Sequence, residues 1–209
     1  LGHSHPKIIE AIKQQAEKLL HVSNFYYTEP QSELVERLAH LSGLERVYLC
    51  NSGLEAMEAS VKLARKWGSL NGKSGNIISL GDGFHGRSVT TIAFEVIQGN
   101  SGVNVVEKEF FQKVRTLCTE KNILLIIDEV QTGIGRTGKF WAHEHFGVQP
   151  DIVASAKALG SGIPIGAVMA KEEIASALGF GNHGTTFGGN PFACAVANAT
   201  LKAIEDEDI

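Results

Sequence analysis

Two short apolar runs, each ending abruptly in a charged side chain, constrain this chain more than any other feature. The first, Ile123-Leu124-Leu125-Ile126-Ile127, stops at Asp128-Glu129-Val130-Gln131-Thr132-Gly133. It is too brief for a helix of its own and rich in branched residues, which reads as a strand buried on both faces, as in a parallel sheet. The second, Asp151-Ile152-Val153-Ala154-Ser155-Ala156, is another short strand and stops at Lys157, ahead of Ala158-Leu159-Gly160-Ser161-Gly162. Ligands of open α/β sheets sit in the crevice beyond the carboxyl ends of the strands, which is where Asp128 falls. A lysine between an apolar strand and a glycine-rich turn is a candidate for a partly desolvated, reactive amine.

An acid and a lysine at the ends of two strands suggest one cofactor arrangement. Pyridoxal phosphate needs a lysine for its Schiff base and a carboxylate facing the pyridine nitrogen, which that carboxylate keeps protonated and electron-accepting. Taken singly, Asp128 also reads as a turn cap and Lys157 as a solvated surface residue. The weighting depends on the rest of the chain.

With 209 residues, the chain is long enough for one good-sized core or two small ones. Hydrophobic residues make up 43% and charged residues 20%, and the formal charge is −4, so nothing points to nucleic acid or an anionic membrane as partner. No apolar run approaches the roughly 20 residues of a membrane helix, and no signal-peptide pattern opens the chain. Cys50, Cys118 and Cys194 are odd in number and widely spaced, which fits reduced cytosolic thiols better than a disulfide framework or a zinc site. The expected location is the cytoplasm, with no metal.

In chain order, Pro6 opens an amphipathic helix carrying Ile8, Ile9, Ile12, Ala16 and Leu19 on its apolar side. His3 and His5 have no partner cluster and read as structural residues near the helix start. The absence of an initial methionine suggests that the true N-terminus lies upstream. A polar and aromatic loop, Ser23-Asn24-Phe25-Tyr26-Tyr27-Thr28-Glu29-Pro30, leads into a helix over residues 31–41. Tyr26 and Tyr27 either line a pocket or pack under the loop. Arg46-Val47-Tyr48-Leu49-Cys50 reads as a strand, followed by Asn51-Ser52-Gly53-Leu54-Glu55 and a helix reaching about residue 67. Ser52 with Glu55 has capping-box spacing, and the same helix start is either a plain cap or an anion cup for a phosphate. Residues 75–80 read as another strand, ending in Gly81-Asp82-Gly83-Phe84-His85-Gly86-Arg87. There Phe84 could stack on a flat ring and Arg87 grip a carboxylate through a bidentate fork; the alternative is a core Phe and a surface Arg.

These segments, together with Lys157-Ala158-Leu159-Gly160 and Gly184-Thr185-Thr186-Phe187-Gly188-Gly189-Asn190-Pro191, resemble the class III aminotransferases in order and spacing. Leu1-Gly2-His3-Ser4-His5-Pro6 and the loop around Tyr26 make the likeness closest to the acetylornithine/ornithine members. The resemblance implies an α/β fold of the type I pyridoxal-phosphate transferases: a mostly parallel sheet flanked by helices. It divides the chain into an N-terminal segment, 1–23, and a cofactor-binding large domain, 24–209. It implies that Lys157 carries the cofactor and moves the proton, and that Asp128 faces the ring nitrogen. Phe84 would stack on the ring, with His85 beside it, and Gln131 would reach the ring hydroxyl. Ser52, Gly53 and the N–H of Leu54 would hold the phosphate, helped by Thr186 of the other subunit in a homodimer with shared sites. Arg87 would take the donor's carboxylate, with Tyr26 in the substrate pocket.

The implied reaction moves the δ-amino group of N-acetylornithine to 2-oxoglutarate, as in arginine biosynthesis. Ornithine or another ω-amine is the alternative donor, and a non-catalytic cofactor-binding remnant is the alternative from another class. Some positions depart from the pattern. Leu54 stands where many relatives have a small or hydroxyl residue, so it offers only its backbone N–H. In Glu95-Val96-Ile97-Gln98-Gly99-Asn100-Ser101-Gly102, Val96 replaces a proline, Asn100 a glutamate and Ser101 a glycine. A family stretch is missing between residues 94 and 95, and so is the small C-terminal domain; the expectation is that the chain belongs to a longer protein.

Overall fold

The computed structural model describes residues 1–73, 76–81, 83, 94–100 and 102–208. Its elements in chain order begin with α1 (Pro6–Lys18), α2 (Glu29–Ser42), β1 (Arg46–Cys50) and α3 (Gly53–Leu70). Two short strands follow, β2 (Ile97–Gln98) and β3 (Asn104–Val105), then α4 (Lys108–Glu120), β4 (Ile126–Asp128) and β5 (Ile152–Ser155). The last three are β6 (Gly166–Ala170), α5 (Glu172–Ala175) and α6 (Pro191–Glu207).

The central sheet has the order β1-β6-β5-β4. β4 and β5 pair in parallel, with Asp128 opposite Ala154, and Phe94 adds a parallel bridge to Ile127 on the far side. β6 pairs antiparallel with both β5 and β1, so it alone runs against the other strands. The reason lies in the link over residues 156–165, which is too short for the crossover of a dozen or more residues that parallel neighbours need. Residues 76–80, expected to lie in a strand, form none, and Ile78 is exposed. An extended segment becomes a strand only through a ladder partner, and none is described beside it.

The apolar runs are continuous because helices cover both faces of the sheet. Ile152 and Ala154 face α3, where they join Ala56, Met57, Ala59 and Leu63. Val153 points the other way, into a cluster with Leu34 and Leu38 of α2, Leu201 of α6 and Trp141. Each fully buried leucine of that cluster contributes about 1.5–3 kcal/mol. His5 has the structural role expected of it. Its Nδ1 accepts the Lys7 N–H at 3.3 Å at the start of α1, and its Nε2 lies 3.0 Å from Glu207. Together with the Lys7–Asp206 pair at 3.0 Å, this docks α1 on the end of α6.

Candidate active site

Because β4 and β5 are parallel and in register, Asp128 and Lys157 emerge at the same end of the sheet. Both line a cavity of about 400 Å³, together with Asn51, Ser52, Gly53, Leu54 and Gln131. The expected acid, amine and helix-start cup are therefore brought to one place. Asp128 is buried, and its Oδ1 accepts the N–H of Val130 at 2.9 Å, which fixes the carboxyl against its own backbone. Lys157 begins a single 3-10 turn, Lys157–Gly160, with φ at +42°. A side chain with a Cβ held in that region costs on the order of 1 kcal/mol, which the surrounding fold must supply. Its Nζ donates to Gln131 Oε1 at 2.8 Å.

The cup is built by α3 and its cap. Ser52 Oγ accepts the Glu55 N–H at 3.2 Å, while Glu55 Oε2 accepts the N–H of Asn51 and its Nδ2, both at 2.9 Å. The Ser52 half of the expected capping box is present, while the Glu55 carboxylate reaches past the cap residue to Asn51. The Ser52 carbonyl takes the Ala56 N–H at 3.0 Å. The cap thus uses Glu55 and Ala56, and the N–H groups of Gly53 and Leu54 lie in the first turn, where a helix offers no acceptor of its own. Gly53 lies so close to β4's extension that a Cβ there would sit 2.7 Å from Val130 Cγ1.

Thr186 and Tyr26 are exposed and lie outside this lining. The loop that carries Thr186 is nonetheless tied to the site, since Asn51 Nδ2 donates to Thr185 Oγ1 at 2.9 Å. Phe84, His85 and Arg87 lie outside the described residues. A second cavity, of about 860 Å³, shares Gln131, Lys157 and Gly162 with the first and extends past Thr132 and Arg136. Among the described residues, no group of three or more His, Cys, Asp or Glu is placed to hold a metal ion.

Sequence reasoning passed over several residues of the wall. Val130 packs on Gly53 and donates its N–H to Asp128, and residues 163–165 also line the cavity. Glu95 and Met57 also line the cavity. Apolar residues in a motif look the same whether they face a core or a ligand, so only the Gly-Ser-Gly and Pro punctuation after Lys157 hinted at a wall there.

Three comparisons bear on this geometry. The family model described as "Aminotransferase class-III" matches in two pieces, residues 1–95 and 88–209. The acetylornithine aminotransferase of Methanocaldococcus jannaschii is 47% identical over 249 aligned positions, which take in 99% of this chain and 63% of that protein. Since the chain has 209 residues, the relative carries positions that this one lacks. Among solved structures, the ornithine aminotransferase of Toxoplasma gondii superposes with a TM-score of 0.92 at 33% identity, over 99% of this chain and 60% of that one. An acetylornithine aminotransferase from Elizabethkingia anophelis gives 0.89 at 41%, with the same shares. The chain thus spans less than two thirds of the M. jannaschii relative and of these two solved chains. Similarity over essentially every residue, on a sheet that brings an acid, a lysine and a helix start to one cavity, has one reading: the chain belongs to the class-III aminotransferase family.

Proposed function

We propose that this chain forms the cofactor-binding part of a pyridoxal-phosphate transaminase that moves the δ-amino group of N-acetylornithine to 2-oxoglutarate. The observation that carries the reading is the convergence of Asp128, Lys157 and the open start of α3 on one cavity. The residues present fit the cofactor. The first-turn N–H groups of Gly53 and Leu54 and the hydroxyl of Ser52 suit a phosphate, which the helix dipole favours. The absence of a Cβ at Gly53 leaves room for Val130, which lines the same cavity.

When bound, pyridoxal phosphate supplies an electron-accepting ring that takes up the electron pair left as a substrate C–H proton departs. Asp128 would face the ring nitrogen, and its burial would keep that contact out of bulk water, where electrostatic interactions are strongly screened. Gln131, already within hydrogen-bond reach of Lys157, orients the ring hydroxyl. Lys157 Nζ would take the proton from the amine-bearing substrate carbon and deliver it to the carbon on the other side of the nitrogen, a 1,3 shift. The family resemblance would assign Phe84 and His85 to the ring, Arg87 to the donor's carboxylate and Tyr26 to the substrate pocket. Thr186 acts across a homodimer interface on the partner's phosphate. This reading is supported by its exposure and by its absence from its own chain's lining. No helix among the described residues is long and apolar enough to cross a membrane; a cytoplasmic location is the expectation that the reduced thiols and the family resemblance carry.

The donor is assigned from the acetylornithine aminotransferases among the relatives, at 47% and 42% identity for the M. jannaschii and Aquifex aeolicus proteins. Ornithine is the second reading, favoured by the superposition on the T. gondii enzyme. The test is direct. Purified full-length protein loaded with pyridoxal phosphate should show a yellow absorbance band that shifts on adding N-acetylornithine, and should form glutamate from 2-oxoglutarate. The kcat/KM for N-acetylornithine should exceed that for ornithine. Lys157→Ala should lose both the colour and the turnover; turnover at the parent rate in that variant would refute the proposal.

A further inference from the structure

Beside Asp128 lies a second buried carboxyl that the proposed chemistry does not use. Glu129 has no exposed surface. Its backbone N–H donates to the Ala154 carbonyl at 2.8 Å, continuing the β4–β5 ladder one residue beyond the strand. Its Oε1 accepts the backbone N–H of His143 at 2.9 Å and lies 2.8 Å from His143 Nδ1. Its Oε2 accepts the hydroxyl of Thr132. The Glu129 carbonyl takes the Gly133 N–H at 3.0 Å. His143 is itself buried, in the 3-10 segment Ala142–Phe146. Trp141 precedes that segment, and its indole N–H is anchored to the Leu41 carbonyl at 2.9 Å.

The consequence is local and specific. Residues 129, 132 and 133 are tied to one another and, through His143, to the body of the protein. Gln131 lies inside that tied turn, and its amide oxygen is the acceptor for Lys157 Nζ at 2.8 Å. These bonds hold the turn from one side. The other side is crowded: a Cβ at Gly99 would meet Gln131 Nε2 at 2.2 Å.

We infer that Glu129 and His143 form a positioning pair: it clamps the 129–133 turn from behind and so keeps the Gln131 amide against Lys157 and the cofactor's ring hydroxyl. The inference rests on the pyridoxal-phosphate reading above for its functional consequence, but the clamp itself does not. Glu129 touches neither substrate nor cofactor. It acts through Gln131, as outer partners that orient a ligating side chain do elsewhere.

A double-mutant cycle tests this on the full-length protein. Pyridoxal phosphate is titrated into the cofactor-free form of the parent, Glu129→Gln, Gln131→Ala and the double variant. Glu129→Gln should weaken binding about tenfold in the parent background and less than about twofold once Gln131 is alanine, because residues in one network couple and independent ones add. Equal losses in both backgrounds, or no loss in either, would overturn the inference. If Glu129→Gln does not fold, His143→Phe removes the ring partner while leaving the backbone donor, and the same cycle applies. Amide exchange in the cofactor-free protein gives a readout independent of the cofactor. The Val130 and Gly133 amides should exchange faster in His143→Phe while those of β5 stay unchanged; unaltered exchange at 130 and 133 also overturns the clamp. A parent protein that binds no pyridoxal phosphate would sink the proposed function and leave the exchange result to decide the clamp.

Discussion

Gly53 and Gly99 both sit where a Cβ would collide with the site, yet the two collisions have different consequences. At Gly53 both methyls of Val130 are in the way, Cγ1 at 2.7 Å and Cγ2 at 3.1 Å, so turning the valine does not clear the space. In an isolated helix Gly→Ala gains roughly 0.5–1 kcal/mol. Here the overpacking of about 1–3 kcal/mol wins, and it falls on the residue whose N–H holds Asp128. Gly53→Ala should therefore lower the unfolding temperature and weaken pyridoxal phosphate together, as read by thermal melts and a cofactor titration. At Gly99 the obstacle is the tip of Gln131, which is flexible. Gly99→Ala should leave the melting temperature nearly unchanged, while the Gln131–Lys157 contact is lost. One hydrogen bond is worth about 0.5–1.5 kcal/mol, so cofactor affinity should fall about two- to tenfold. Cys50 supplies a third expectation at this scale. Burial pushes its thiol up to about 12, and that of Cys194 likewise. Neither should be alkylated by iodoacetamide at pH 8 until the protein unfolds, as peptide mass spectrometry would show, because the thiolate is the reactive form. At this scale the places of Asp128 and Lys157 in the cavity wall were legible, since each is a charged residue where an apolar run stops, and that of Ser52 was legible as a helix cap. Glu129 was written in the same motif but not legible as buried, because its partner His143 is brought to it only by the fold.

Elements were legible where a period or a cap announced them, and less so where tertiary packing decided. α1, α2, β1 and α3 lie within a few residues of the expected bounds. α6 went unread, although Asn190 caps it, accepting the Ala193 N–H at 2.8 Å, and Pro191 opens it. Its small residues are buried round most of the helix, so no polar face marks the period. α4 was also missed, despite Phe111, Val114 and Cys118 lying on one side. The direction of β6 could not be read from its apolar sequence, which is equally suited to either sense. Its position matters, because Gly166 packs under the helix-start cup. A Cβ there would be 2.4 Å from the Ser52 carbonyl oxygen, a backbone atom that cannot swing aside. Gly166→Ala should cost about 1–3 kcal/mol or more and should weaken phosphate binding, measurable by denaturant unfolding and by cofactor titration. Asp151 joins three elements: its carboxyl accepts from the Leu125 N–H at 2.8 Å, from Arg115 at 2.7 Å and from Lys171 at 2.5 Å. Burial pushes its carboxyl up, but the bonds from Lys171, the Leu125 N–H and Arg115 together outweigh that and hold it below the usual carboxylate range. A group depressed in the folded state stabilises the fold above its unfolded pKa and loses that contribution as pH falls through the folded one. Stability should therefore fall below about pH 4. In Asp151→Asn, part of that acid slope should vanish, with a loss of about 1–3 kcal/mol at neutral pH.

At the scale of the whole molecule, the surface that the fold leaves uncovered is as informative as the core. Two loops far apart in sequence meet there: His21 packs edge-on to Phe187 with ring centroids 4.9 Å apart, and Asn24 Nδ2 donates to the Thr185 carbonyl at 2.7 Å. Phe25, Tyr26 and Tyr27 are exposed on one loop and Phe187 on the other, with Tyr27 at 95%; further back on the second loop Phe180 is exposed as well, at 97%. Rings of that size do not gather in water without something to cover them, and aromatic residues are what the centre of a protein interface is rich in. The same loop carries Thr186 and is bonded through Thr185 to Asn51 at the start of α3. Covering the aromatic surface with a second copy would thus also settle the loop beside the cup, linking assembly to cofactor binding. The homodimer and the role of Thr186 were expectations from the family resemblance, but the aromatic surface itself could not be read from the sequence, where exposed and buried aromatics look alike. The full-length protein should sediment at twice its monomer mass. Phe180→Asp, which places a charge on the exposed apolar surface of the loop that carries Thr186, should shift it towards the monomer and weaken pyridoxal phosphate in parallel. Restoring the dimer by raising protein concentration should restore the affinity as well, since a partner that binds only the assembled form stabilises it by mass action. A monomeric Phe180→Asp protein that holds the cofactor as tightly as the parent would separate the two events and remove Thr186 of the second subunit from the phosphate site.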